Sequence, residues 1–325
     1  MTRYKHIGLV ILATLILSAG CQPALPNPTS TPTSAPDAQP FNKRGLECAS
    51  RGDYGCAIIN YNQAIQLKPD WAEAFDNRGL AYAAQGDYSR AMADWNQAIK
   101  LQPDYVDAYL NRGVAYYNKA DYEHALADYN QAILLNPASA EAFYLRGRAF
   151  SDQGNTDRAL ADFDQAIRLT PNNALVYSAR GIAHRRKGEL DLAIADYTRA
   201  IQLKPNDAES YFNRGNAYAD KVDFDGAIAD YDQALKLKPN LANAYVNRGI
   251  AYTNKGDVDR ALADFDQAIQ LQPDQAEAYY NRGLAYFKKK DNLKAILDFK
   301  RALEQSHGPE LNKRIDEQLN ALQAK

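Results

Sequence analysis

The sequence predicts an all-α chain of eight tandem helix–turn–helix units closed by one further helix. Three observations predict it. The hexapeptide NRGLAY at 77–82 returns at 281–286, with NRGVAY from Asn111, NRGNAY from Asn213 and NRGIAY from Asn247 between them. Eight glycines (Gly45, Gly79, Gly113, Gly147, Gly181, Gly215, Gly249 and Gly283) stand in one register, 34 residues apart. Within each period the apolar and small residues fall three to four apart, the spacing of one helix face. A fixed internal period of this length marks an array whose units stack on their neighbours.

The first twenty residues have a different composition. Arg3, Lys5 and His6 precede an apolar run from Ile7 to Leu17, followed by Ser18, Ala19, Gly20 and Cys21. A basic start, a short apolar core and small residues read as a secretion signal, since a spanning helix needs about 20 apolar residues. The stretch LSAGC resembles the lipobox of bacterial lipoproteins. That resemblance implies a lipidated Cys21 as mature N-terminus and an extracytoplasmic chain anchored to a bacterial membrane. Leu17 and Ser18 depart from the motif's usual order, and an ordinary signal peptide is the other reading. Residues 21–40 then form a Pro/Ser/Thr-rich segment that cannot bury a core, so a disordered, extended linker is expected.

The repeats follow, over residues 41–309, with units starting at residues 38, 72, 106, 140, 174, 208, 242 and 276. In the unit from Ala72, Phe75, Gly79 and Tyr82 mark one helix face. Gly86 suits a left-handed helix end, and Asp87 suits the N-cap of the next helix. Ala91, Met92, Trp95, Ala98 and Ile99 mark the apolar face of that second helix. Pro103 ends it, and Asp104 is expected to cap the helix that follows. Position 8 is always Gly, and positions 20 and 27 are always Ala. Small residues at facing sites let two helix backbones approach, while aromatics at positions 4, 11 and 24 fill the space beside them.

Small residues at 8, 20 and 27, aromatics at 4, 11 and 24, proline at 32 and the 34-residue period resemble the tetratricopeptide repeat. The resemblance covers residues 38–309 and implies a right-handed α-solenoid whose first helices line a concave surface. Residues 310–325 supply a capping helix, with Leu311, Ile315, Leu319 and Leu322 at helical spacing.

Position 7 departs from the family pattern. It is Arg in every unit, including Arg44 in the first, and position 23 is Asp in all units but that one, which has Asn60. A half-buried arginine needs an acceptor. The expectation is a structural ladder pairing Arg78, Arg112, Arg146, Arg180, Arg214, Arg248 and Arg282 with Asp94, Asp128, Asp162, Asp196, Asp230, Asp264 and Asp298. The alternative is arginines that hold an anionic ligand. Cys48 and Cys56 lie across the helix–helix turn of the first unit; export makes a disulfide plausible, and a solvent-facing position 19 would forbid it.

No chemistry emerges. The histidines (His6, His124, His184, His307) are scattered, and His184 fills an aromatic packing position. No phosphate-cradling glycine loop is present, so neither an enzyme, a cofactor nor a metal site is expected. The 38 basic and 40 acidic side chains give a formal charge of −2, which argues against a nucleic-acid partner held by bulk charge.

The family lines its groove with positions 2, 5, 6, 9, 12 and 13. Position 6 reads Lys43, Asn77, Asn111, Leu145, Ala179, Asn213, Asn247 and Asn281. An amide donates and accepts at once, which suits an extended peptide backbone. The row is similar to the asparagine ladder in the repeat superhelix of O-linked N-acetylglucosamine transferase. A carboxylate clamp is not expected, because Glu141 and Leu145 stand where its cations belong. Between the asparagines, Leu110, Val114, Tyr117, Tyr144 and Leu145, followed by Arg148, Arg185 and Arg186, read as a mixed apolar and basic pocket. Either these residues bind, or the asparagines are relics of duplication. The function expected is a membrane-anchored scaffold for a protein or peptide in an envelope assembly. A peptidoglycan- or carbohydrate-associated adaptor is the alternative.

Overall fold

The structure is a computed structural model that describes residues 37–323. The predicted signal peptide, Cys21 and the linker up to residue 36 lie outside the described residues. Seventeen α-helices are present among them. Two compact units contain them, divided between Pro137 and Ala138.

The first unit holds three helix pairs: α1 (Gln39–Ser50) with α2 (Tyr54–Leu67), α3 (Ala72–Ala84) with α4 (Tyr88–Leu101), and α5 (Val106–Asn118) with α6 (Tyr122–Leu135). The second holds α7 (Ala140–Asp152) with α8 (Thr156–Leu169), α9 (Ala174–Arg186) with α10 (Leu190–Leu203), and α11 (Ala208–Asp220) with α12 (Phe224–Leu237). It continues with α13 (Ala242–Lys255) and α14 (Val258–Leu271), α15 (Ala276–Lys288) and α16 (Asn292–Gln305), then the single α17 (Pro309–Gln323). α1 starts two residues inside the segment expected as linker. Pro40 sits in its first turn, where a missing N–H costs nothing.

Each pair closes on the same device. The position-24 aromatic of the second helix is buried against the position-8 glycine of the first; a methyl on Gly249 would stand 2.7 Å from Phe265 Cε1, and one on Gly113 2.6 Å from Tyr129 Cε1. Ala57, Ala91, Ala125, Ala159, Ala193, Ala227, Ala261 and Ala295 are fully buried in the same layer. Interiors packed at this density have no room for a further methyl.

The turn inside a pair ends the first helix with a left-handed residue. Gly86 takes φ 83°, with Asp87 N donating to Tyr82 O and Gly86 N to Ala83 O. Asp87 then caps α4 by accepting from Arg90 N, as Asp121, Asp223, Asp257 and Asp291 cap their helices. One expected cap is absent: α5 begins after Tyr105, which makes no side-chain cap, and Asp104 is one residue too early. Where position 34 is short and polar, as in Ser139, Asn173 and Asp207, that residue does cap the first helix.

α17 lies over the end of the second unit. Ile315 and Leu322 are buried, and Leu311 and Leu319 half-buried, against Tyr279, Tyr280, Phe299 and Ala302.

Candidate binding surface

The periodic arginines from Arg78 onward are engaged by carboxylates; Arg44 of the first pair is exposed. Arg78 donates from Nε to Asp94 Oδ2 at 2.8 Å and from Nη2 to Oδ1 at 2.7 Å. The same two-pronged bond joins Arg112 to Asp128, Arg146 to Asp162, Arg180 to Asp196, Arg214 to Asp230, Arg248 to Asp264 and Arg282 to Asp298, at 2.6–2.7 Å from Nη2. The carboxylates are buried, and the guanidinium groups stay about one-fifth exposed. Hydrogen bonding to the carboxylate holds Arg180 and Arg282 above the ordinary arginine value.

One further contact is common to all seven arginines, and a second is seen at six of them. The guanidinium lies over the position-4 ring of its own helix, 5.4 Å from Phe75 in α3 and 5.5 Å from Tyr279 in α15. Its free Nη1 reaches back to position 25 of the preceding pair: Arg78 to Asn62, Arg112 to Asn96, Arg180 to Asp164, Arg214 to Thr198, Arg248 to Asp232 and Arg282 to Asp266. Position 25 was not singled out from sequence, since its occupants share only an acceptor oxygen. These arginines therefore tie helix to helix and pair to pair, with their donors directed into the protein.

The position-6 asparagines are also partly committed. In the first unit, Asn77 Nδ2 donates to Asn42 Oδ1 at 3.3 Å, and Asn42 in turn donates to Glu73. Asn111 Nδ2 donates to Asp76 Oδ1 at 2.9 Å. In the second unit Asn247 donates to Asn216, and Asn281 to the carbonyl of Glu277 in its own helix. Asn213 is half-buried and makes no such bond among the described residues. Asn77 and Asn111 in the first unit and Asn247 in the second are thus held by the preceding first helix, whereas Asn281 is held by its own helix and Asn213 by neither.

Asp76 is the residue sequence reasoning missed. It is 3 % exposed at position 5, where the other units carry amide, hydroxyl or apolar side chains. Comparing that one column would have found it. Burial pushes its carboxyl up to about 7 against the hydrogen bonds from Asn111 and Tyr105, and the charges of Asp107 and Glu73 push the same way.

The residues of the expected apolar and basic pocket belong to different units. In the first, Leu110 is buried and Tyr117 meets the Tyr122 ring edge-on at 5.6 Å. In the second, Tyr144 packs beside Phe163 at 6.2 Å and Arg148 lies 5.7 Å over it. Arg185 pairs with Asp220 at 2.6 Å, and Arg186 donates to the Ser151 carbonyl and hydroxyl. His184 is half-buried, with Nδ1 bonded to Glu189 at 2.6 Å.

Cys48 and Cys56 are joined as a disulfide with a Cα–Cα distance of 5.8 Å. Among the described residues no group of His, Cys, Asp and Glu could hold a metal ion, and no helix is long and apolar enough to cross a membrane.

Comparison with known proteins follows the repeats. A model described as TPR repeat matches residues 45–86, 79–120, 183–222, 223–256 and 249–290, and two described as tetratricopeptide repeat match 112–183 and 276–308. No curated protein matches the chain. Among solved structures, the APC/C hetero-tetramer Cut9-Hcn1 aligns with TM-score 0.61 at 19 % identity, over 86 % of this chain and 55 % of that one. A tetratricopeptide repeat protein from Parabacteroides merdae aligns with TM-score 0.59 at 22 % identity, over 76 % and 98 %. YrrB, described as a TPR protein with an unusual peptide-binding site, aligns with TM-score 0.48 at 27 % identity, over 57 % and 95 %.

Proposed function

Because the chain belongs to the tetratricopeptide repeat family, we propose that it is a non-enzymatic scaffold that binds an extended peptide segment of another protein along its first helices. The family's fold is typical of protein–protein interaction. The observation that carries the reading is the position-6 row. Asn77 and Asn111 in the first unit and Asn247 in the second are each oriented by a bond to the preceding first helix, which leaves an amide oxygen for a peptide backbone. Orienting them beforehand lowers the ordering cost of binding.

The anchor belongs to the same proposal. Cys21 carries the lipid, the segment from Cys21 to the start of α1 acts as spacer, and the repeats and their cap lie outside the cytoplasm. The Cys48–Cys56 bond supports an oxidising compartment, and Cys21→Ser is expected to release the chain from membranes.

The binding test sets the full chain and the variant with Asn77, Asn111, Asn213, Asn247 and Asn281 changed to Ala against a displayed library of random extended peptides. The expected result is a selected peptide family that the variant, with an unchanged melting temperature, no longer retains. Equal retention would make the asparagines products of duplication. Retention on purified peptidoglycan with no peptide selected would favour the adaptor reading.

A further inference from the structure

The first helix pair lacks the clamp that every later pair has. Arg44 occupies the position of the clamping arginines, yet it is exposed and makes no side-chain hydrogen bond among the described residues. Its expected partner is Asn60, whose Nδ2 donates to the Cys56 carbonyl and reaches its Sγ at 3.5 Å. No described pair precedes α1, so no position-25 acceptor is available to Arg44 either. In the other seven pairs a carboxylate on the second helix grips an arginine on the first through two charged bonds. Here the two helices are instead joined covalently, through Cys48 near the end of α1 and Cys56 in the first turn of α2.

We propose that the Cys48–Cys56 disulfide does in the first helix pair what the Arg–Asp clamp does in the others, so that reduction by a dithiol loosens that pair and leaves the rest closed. Two features make the bond a controllable element. Cys48 is buried, but Cys56 is half-buried on the first turn of α2 and is the sulfur a thiolate can reach. The dithiol attacks Cys56 Sγ and Cys48 leaves as thiolate; the reductant's second sulfur then displaces Cys56. Two electrons and two protons pass to the cysteines, and the reductant ends as its own disulfide. Once open, α1 keeps its packing on α2 and α3, centred on Cys48, Ala57, Tyr61 and Ala81, and the hydrogen bonds of Asn42 with Glu73 and Asn77 of α3, but no side-chain clamp to α2. A terminal pair gripped from one side is where an array opens most readily.

The test is amide hydrogen exchange on the full chain, oxidised and after reduction by dithiothreitol, for the natural protein, Asn60→Asp, and Asn60→Asp combined with Arg44→Ala. Asn60→Asp places a carboxylate at the spacing of the other clamps. The expected result is exchange over residues 39–67 that rises about tenfold or more on reduction in the natural protein, the size of a lost charged contact. Residues 208–305 stay unchanged. The reduced Asn60→Asp protein regains most of that protection, and the added Arg44→Ala removes it again. Unchanged protection of residues 39–67 on reduction would overturn the proposal, as would a rise spread over the whole chain. So would a failure of Asn60→Asp to restore protection.

Discussion

At the scale of single residues, partner supply separates the two kinds of buried charge. Each clamping aspartate loses water but gains two charged donors, and the guanidinium keeps part of its hydration. Removing either member would leave the other buried and unpaired, the costly outcome for such pairs. Asp76 has no cation: its partners are the amide of Asn111 and the hydroxyl of Tyr105. Its carboxyl, raised by burial from 3.8 to about 7, therefore binds a proton in the folded state that the unfolded chain has already lost. With more protons bound when folded, stability is fully present below about pH 4 and declines as pH rises through that window, by up to a few kcal/mol at about pH 7. Asp76→Asn keeps the acceptor for Asn111 and removes the charge. The natural protein's melting temperature is thus expected to fall progressively below the variant's between about pH 4 and about pH 7. Parallel curves across that range would show that Asp76 ionises freely in the folded protein.

At the scale of helices and turns, most of the fold is legible in the sequence, because each unit states the same requirement. Gly at position 8 and Ala at 20 and 27 need a close neighbour, and the 34-residue period says where. The misses come from single residues outside that consensus. Asp104 reads as a cap although the helix starts one residue later, and Asp76 is the one acid in a column that otherwise holds an amide, a hydroxyl and apolar or aromatic side chains. The partners of Arg78 at Asn62 and of Arg214 at Thr198 are chemically unlike, so no column pattern announces them. The turns also carry a legible weakness. Their left-handed position holds Gly52, Gly86, Gly154, Gly188 and Gly256, but Ala120, Val222 and Lys290 elsewhere, with φ near 60°. For a non-glycine residue that conformation costs roughly 1–2 kcal/mol, and β-branching makes it worse. Val222 is 68 % exposed, so its side chain contributes little packing. Val222→Gly is expected to stabilise α11 and α12 by about 1 kcal/mol after glycine's own entropy is counted. Slower amide exchange in those helices would show it, and exchange as fast as before would mean the turn is not strained.

At the scale of the whole molecule, an array has a problem no single unit has: its last pair presents an apolar face with nothing to stack on. α17 answers it at the end of the second unit. Tyr280 and Phe299, which pack against each other at 5.8 Å, lie under Ile315, Leu311, Leu319 and Leu322, and Arg314 covers the Tyr280 ring at 4.7 Å. Burying a side chain such as Ile315 or Leu322 is worth roughly 1.5–3 kcal/mol. The helix as a whole therefore stabilises its pair by several kcal/mol, and in a nearest-neighbour array that stabilisation acts locally before it acts globally. Ending the chain after His307 is expected to raise amide exchange across α15 and α16 on the order of a hundredfold. The effect weakens through α13 and is absent from α9. The uncovered Tyr280–Phe299 surface is also expected to draw copies together, visible as a larger hydrodynamic size at high concentration. If α15 and α16 kept their protection and the shortened chain stayed monomeric, those two helices would hold without a partner and α17 would be an attachment rather than a cap.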